Sequence, residues 1–170
     1  MNAASGLVLD RAAAAARVEA WRAAGESVVF TNGVFDLVHR GHVASLTAAR
    51  GKGDRLVVGV NDDDSVRRLK GPRRPLAPLE DRMAVLAALR AVDLVTPFAE
   101  DTPEELIRAL RPDVLVKGAD YKVEDVAGGA FVRSYGGRVE TVELVPGRST
   151  SSVVERVLER YGRDDEATSQ

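Results

Sequence analysis

The sequence predicts an α/β fold built on a doubly wound parallel sheet with helices on both faces. Three observations carry this. Short β-branched runs alternate with stretches of helical spacing along most of the chain. The runs are apolar almost throughout rather than at every second residue, as strands covered on both faces are. Right-handed crossovers between such strands then wind helices onto the two sides.

The elements follow in order. The alanine-rich stretch Ala12–Ala16 is interrupted by Arg11, Arg17 and Glu19 and lacks the apolar core of a secretory signal. It reads as an amphipathic helix within residues 1–25 that packs Val8, Val18 and Trp21 onto the remainder. Strands are predicted at Val28–Thr31, Leu56–Val60, Val92–Val95, Val114–Val116 and Arg138–Val142. Helices are predicted at Val43–Arg50, Glu80–Arg90 and Pro103–Leu110. The last of these opens on Asp101-Thr102-Pro103-Glu104-Glu105, which supplies a cap, an early proline and acids in the first turn. A final helix places Val153, Val154, Val157 and Leu158 on one face. The basic stretch Arg67–Arg74 alternates with Leu69, Gly71 and Pro72 and reads as a mobile loop. Residues 1–162 form one domain on this reading, and the polar tail 163–170 is disordered.

Bulk properties narrow the function. The 170 residues fit one domain, and 45% apolar residues allow a substantial core. A formal charge of −2 gives no general attraction to nucleic acid or anionic membrane, so any phosphate site must be a local cluster. With no cysteine, disulfides and thiolate metal sites are excluded. No apolar run approaches the roughly 20 residues of a membrane span, so the expected location is cytoplasmic.

Ligands of such sheets bind beyond the carboxyl ends of the strands. Directly after the first predicted strand stands Thr31-Asn32-Gly33-Val34-Phe35-Asp36-Leu37-Val38-His39-Arg40-Gly41-His42, which holds both histidines of the chain. Gly33 and Gly41 let backbone approach a ligand closely. A helix start with free N–H groups attracts anions, and two imidazoles there can donate to phosphate oxygens. Taken alone, the pair is equally an ordinary set of satisfied polar residues, or metal ligands without acidic or thiolate company. Near the other end, Gly147-Arg148-Ser149-Thr150-Ser151-Ser152 opens the last helix with more hydroxyls than an N-cap requires.

The spacing Gly33-x-Phe35-Asp36-x-x-His39-x-Gly41-His42 resembles the signature of the cytidylyltransferase-like nucleotidyltransferases, whose HxGH element binds a triphosphate. That resemblance implies a Rossmann-like sheet. Together with Asn61-Asp62-Asp63-Asp64, Arg67–Pro75, Leu79–Met83 and Lys117-Gly118-Ala119-Asp120-Tyr121-Lys122, the chain is similar to the adenylyltransferases of ADP-heptose synthesis from about Val28 to Leu158. It departs from them at Ser151, where threonine is more frequent, at Ala119, where glycine is usual, and at Arg148, where a small or apolar residue is usual.

The resemblance implies a reaction and a set of roles. An AMP group passes from ATP to D-glycero-β-D-manno-heptose 1-phosphate, giving ADP-heptose, which feeds lipopolysaccharide cores or other heptosylated products, and pyrophosphate. Catalytic roles fall to His39, His42 and Lys70. Nucleotide contacts fall to Thr31, Asn32, Gly33, Phe35, Gly41, Lys117, Gly118, Asp120, Ser149, Thr150 and Ser151. Contacts to the sugar phosphate fall to Asn61, Lys70, Arg74 and Arg82, although Arg82 also reads as a plain surface arginine. Asp36 reads equally as a helix cap or as a residue that orients a histidine. Magnesium is expected as the cofactor, held by phosphates and water rather than by the protein. Partners are ATP and a sugar 1-phosphate, without nucleic acid or membrane, in a homodimer or larger homo-oligomer. The alternatives are a cytidylyltransferase or other nucleotidyltransferase acting on glycerol 3-phosphate or another acceptor, and a non-catalytic nucleotide-binding module.

Overall fold

The computed structural model describes residues 6–119, 122–143 and 145–162. Its elements run β1 (Leu7–Val8), α1 (Arg11–Ala23), β2 (Val28–Gly33), α2 (Arg40–Arg50), β3 (Arg55–Asn61), α3 (Asp63–Lys70), α4 (Leu79–Ala87), β4 (Leu94–Phe98), α5 (Glu104–Leu110), β5 (Val114–Gly118), a 3-10 turn (Val123–Asp125), α6 (Gly129–Ser134), β6 (Arg138–Val142) and α7 (Thr150–Tyr161). Six parallel strands make one sheet in the order β1-β4-β3-β2-β5-β6. The predicted α/β class and doubly wound sheet are therefore what the chain adopts. The order reverses at β2, whose successors go to β3 on one side and to β5 on the other.

Both faces of the sheet are covered, which explains the unbroken apolar strands. On one face Val29, Leu56, Val58, Val60, Val114 and Val116 pack against Leu46 and Ala49 of α2 and Leu86 of α4. On the other, Val28, Phe30, Val57 and Leu115 pack against Ala14 and Val18 of α1 and against Leu106, Ile107 and Leu110 of α5. Successive residues of β2 thus alternate between two apolar layers, and neither phase of the strand meets water.

Several local expectations need correction. Val8 lies in β1, not in the N-terminal helix. The amides of Gly6, Leu7 and Leu9 donate to the carbonyls of Ala87, Asp93 and Val95, and Asp10 caps α1 only at Arg11. The third predicted strand is shifted to Leu94–Phe98, because Asp93 is held outside it by Arg50, Arg55 and the Leu56 amide. Pro97 is tolerated there since β1 pairs only Leu94 and Val95 of β4 and leaves an edge beside it. The stretch expected as a mobile loop is helical up to Lys70. Asp62 caps α3 through the Ser65 amide, and Gly71, at φ +93°, ends it. Asp101 and Thr102 do not cap α5; Pro103 takes the N-cap position without a side-chain bond, and Asp101 pairs with Arg68. The tail expected to be disordered lies outside the described residues.

Candidate active site

The carboxyl ends of the strands open into one cavity of about 670 Å³. Its floor is Thr31–Asp36, leaving β2, with Asn61 at the end of β3 and Lys117 and Gly118 at the end of β5. Leu69, Lys70 and Arg74 stand on one side. The Asp101–Pro103 turn, Asp125 and Ala127 stand on another, and Ser149–Ser151 complete the rim. The size suits a nucleotide-sized ligand. Its position at the reversal of strand order is where open α/β sheets bind ligands.

The two helix starts singled out in the sequence meet here. His39 is the N-cap of α2. Its Nδ1 accepts from the Gly41 amide at 3.1 Å, while Nδ1 of His42 accepts from the His39 amide at 3.4 Å. These two amides assign the ring protons to Nε2 on both imidazoles. The rings stack with centroids 3.8 Å apart, and the edge of Phe35 meets His42 at 5.2 Å. Phe35 holds φ +50°, an uncommon conformation for a bulky residue, and so turns the loop back toward α2. At the other helix start, Ser149 accepts from the Ser152 amide and Ser152 returns the bond, a complete capping box. The cap therefore takes two serines, while Thr150 and Ser151 line the cavity with Ser149.

Gly41 is the small residue that allows this meeting. A Cβ there would lie 3.0 Å from the His39 ring and 3.2 Å from Cβ of Arg148. The first turn of α2 and the approach to α7 thus touch across Gly41, although they are distant in sequence. Side by side they present two sets of helix N-terminal amides, a strong local anion site in a chain of net charge −2.

Burial sets the protonation state of His42. Burial, and then the neighbouring His39, lower the pKa of His42 from 6.5 to about 4, while a hydrogen bond with the Leu37 backbone opposes the shift. At neutral pH the ring is uncharged and serves as a hydrogen-bond donor. Because the folded pKa lies below the unfolded one, the unfolded chain takes the proton first as pH falls. His42 is then expected to reduce stability progressively between pH 6.5 and about 4, with no effect above that window. Urea titrations of the protein and of its His42→Gln variant across this range check it. The difference between the two should be constant above the window and move against the unsubstituted protein within it, and parallel curves throughout would refute the assignment.

Not every predicted residue reaches the cavity. Thr31, Asn32, Gly33, Phe35, Asn61, Lys70, Arg74, Lys117, Gly118 and Ser149–Ser151 do, as does His42. His39 and Gly41 stand behind it and hold His42 in place. Lys117 donates to the Asn32 side chain and so ties β5 to the end of β2. Asp120 lies outside the described residues. Arg82 needs correction: it neither faces the cavity nor lies on the surface, being 1% exposed. Its guanidinium donates to the carbonyls of Ala77, Val34 and Asn61 at 3.0, 2.6 and 2.9 Å and to Asp63 at 2.6 Å. With these groups occupying it, Arg82 supports the site rather than touching a ligand. Asp36 likewise neither caps α2 nor orients a histidine. It accepts from Arg74 and from the amides of Leu76 and Ala77. Sequence reasoning missed Asp101, Thr102 and Pro103; their place directly after β4 is the signal that could have found them.

Comparison with known proteins agrees with this geometry. The cytidylyltransferase-like family profile matches residues 30–160. The bifunctional protein HldE of Alcanivorax borkumensis is 55% identical over 153 residues, which are 90% of this chain and 32% of that protein. HldE of Magnetococcus marinus is 60% identical over 141 residues, covering 83% and 29%. The chain thus spans about a third of the length of these curated relatives. A solved structure, the lipopolysaccharide core biosynthesis protein of Thermoplasma volcanium, superposes with a TM-score of 0.59 at 29% identity and covers 71% of this chain and 98% of that one. The matched span begins in β2, takes in both helix starts and ends in α7, so the chain belongs to the cytidylyltransferase-like family.

Proposed function

We propose that this chain transfers the adenylyl group of ATP to D-glycero-β-D-manno-heptose 1-phosphate, forming ADP-heptose and pyrophosphate. One observation carries the reading above all. Two helix N-termini and the side chains of His42, Lys70, Arg74 and Lys117 converge on one cavity at the switch point of the sheet. Such a cavity suits two polyanionic substrates held side by side. The similarity to HldE, a bifunctional protein, supports the choice of acceptor.

The chemistry asked of the protein is positioning and charge stabilisation. A phosphate oxygen of the sugar phosphate attacks the α-phosphorus of ATP in line, and the bond to the bridging oxygen of pyrophosphate breaks. The attacking oxygen is already ionised at neutral pH, so no general base is required. His42, whose ring lines the cavity, donates its N–H to oxygens on which charge builds, giving up the Leu37 carbonyl that it bonds in the free protein. The amides opening α2 and α7, with the hydroxyls of Thr150 and Ser151, hold the triphosphate. Lys70 and Arg74, on the opposite side, neutralise the acceptor phosphate. Among the residues lining the cavity the carboxylates are Asp36, Asp101 and Asp125, of which Asp36 is taken up by Arg74 and two amides and Asp101 by Arg68, a set that fits magnesium arriving with its triphosphate. When bound, that ion supplies further neutralisation of the phosphates. ATP as substrate places the reaction in the cytoplasm.

Pyrophosphate release with magnesium, the heptose phosphate and each of ATP, CTP and GTP tests the proposal. Release with ATP alone is the expected result. Release confined to CTP or GTP would overturn the base assignment, and silence with all three would overturn the acceptor.

A further inference from the structure

Asp36 stands inside the motif that carries the histidines, yet the structure binds it to a different part of the site. Its carboxylate is 3% exposed. Oδ1 accepts from the amides of Leu76 and Ala77 at 2.7 and 2.9 Å, and Oδ2 accepts from Nε of Arg74. A buried carboxylate with three donors is well compensated. All three donors belong to one short segment between α3 and α4, and that segment brings Arg74 to the cavity. On its far side the Ala77 carbonyl accepts from the buried Arg82. The segment is therefore clasped between two buried charges of opposite sign. Asp36 takes its N–H groups and Arg82 a C=O.

We infer that Asp36 is a positioning residue for the acceptor, acting through Arg74, and not a residue of the triphosphate site. Arg74 gives Nε to Asp36 and lines the cavity, so its two terminal nitrogens are the donors left for an anionic oxygen there. The clasp fixes where that fork stands relative to β2 and hence to the nucleotide. One loop thereby supports His42 from its own helix start and sets the acceptor cation from its buried carboxylate. This rests on the proposed reading only in naming the acceptor as a sugar phosphate.

Asp36→Asn tests it, because the amide keeps an acceptor for Leu76 and Ala77 but offers Arg74 no charge. With nucleotide saturating, KM for the sugar phosphate is expected to rise about tenfold or more, the scale of losing one charged hydrogen bond. The affinity for ATP, measured by calorimetry, should stay within about twofold. Combining Asp36→Asn with Arg74→Ala should add little to Arg74→Ala alone, as expected of residues acting through one contact. A parallel loss of ATP affinity, or full additivity with Arg74→Ala, would overturn the inference. Amide exchange at Leu76 and Ala77 supplies a readout independent of any acceptor. Faster exchange at these two amides in Asp36→Ala, with ATP affinity retained, is expected even if the heptose phosphate proves not to be the acceptor. Unchanged exchange there would overturn the clasp itself.

Discussion

Replacing Arg82 by methionine is expected to cost the fold about 3–5 kcal/mol, the loss typical of breaking a buried ion pair from one side. Methionine nearly preserves the volume, so the cost does not come from a cavity. It comes from what the guanidinium leaves behind. The Asp63 carboxylate loses its partner, and the carbonyls of Val34, Asn61 and Ala77 lose donors, the Asn61 carbonyl in a fully buried place. These four groups come from the loop after β2, the end of β3, the start of α3 and the segment before α4. One side chain thus fastens four segments, two of which, at Val34 and Asn61, form part of the cavity floor. Urea unfolding measures the effect as a fall in midpoint with an unchanged slope. A loss below about 1 kcal/mol would mean that the neighbours find other donors, and the hub role would be wrong. Arg82→Lys should fall between the two, since a point charge can meet Asp63 but cannot reproduce the fork.

The second large effect concerns turnover. His42→Ala is expected to lower kcat about a hundredfold or more, as the removal of one charge-stabilising donor does elsewhere. The ring is neutral in the free protein, half-buried between His39 and Phe35, and held by a backbone amide. It is therefore held near its working position before substrate arrives, and only the change of partner from the Leu37 carbonyl to the developing charge is left to make. The variant should melt as a folded protein and keep most of its affinity for ATP, because the helix-start amides of α2 and α7 remain. Near-normal turnover in a folded variant would remove the imidazole from the mechanism. A collapse of ATP affinity in step with kcat would instead make it a ground-state binding group.

The sheet was legible in the sequence because its physics is local. Residues such as Val28 to Phe30 and Leu56 to Val60 are apolar on both phases, and only a strand covered on both faces calls for that. For the candidate site, the resemblance of Gly33–His42 to a family motif singled out His39 and His42, and the structure sets the first as the N-cap of α2 and the second in its first turn, lining the cavity. What escaped depends on partners far along the chain. β1 has two residues, and nothing in Leu7-Val8 marks a strand until β4 offers its carbonyls. Arg82 carries the pattern of any arginine on an amphipathic helix; its burial is decided by Val34, Asn61 and Ala77. Asp36 sits among residues that the sequence marks as candidate phosphate ligands, so its neighbours in sequence point away from Arg74, Leu76 and Ala77. Helix α3 was obscured by Gly71 and Pro72, which mark where it stops and not that it is absent.

The central position of β2 also orders events in time. Val28–Gly33 pairs with β3 soon after it is made, but its other edge waits for Val114 and Leu115 of β5. At a synthesis rate of ~5–20 residues per second, that edge stays open for several seconds on the ribosome. The crevice between β2 and β5 closes long after the β2–β3 seam, so a nascent chain has the loop that follows β2 well before it has a pocket.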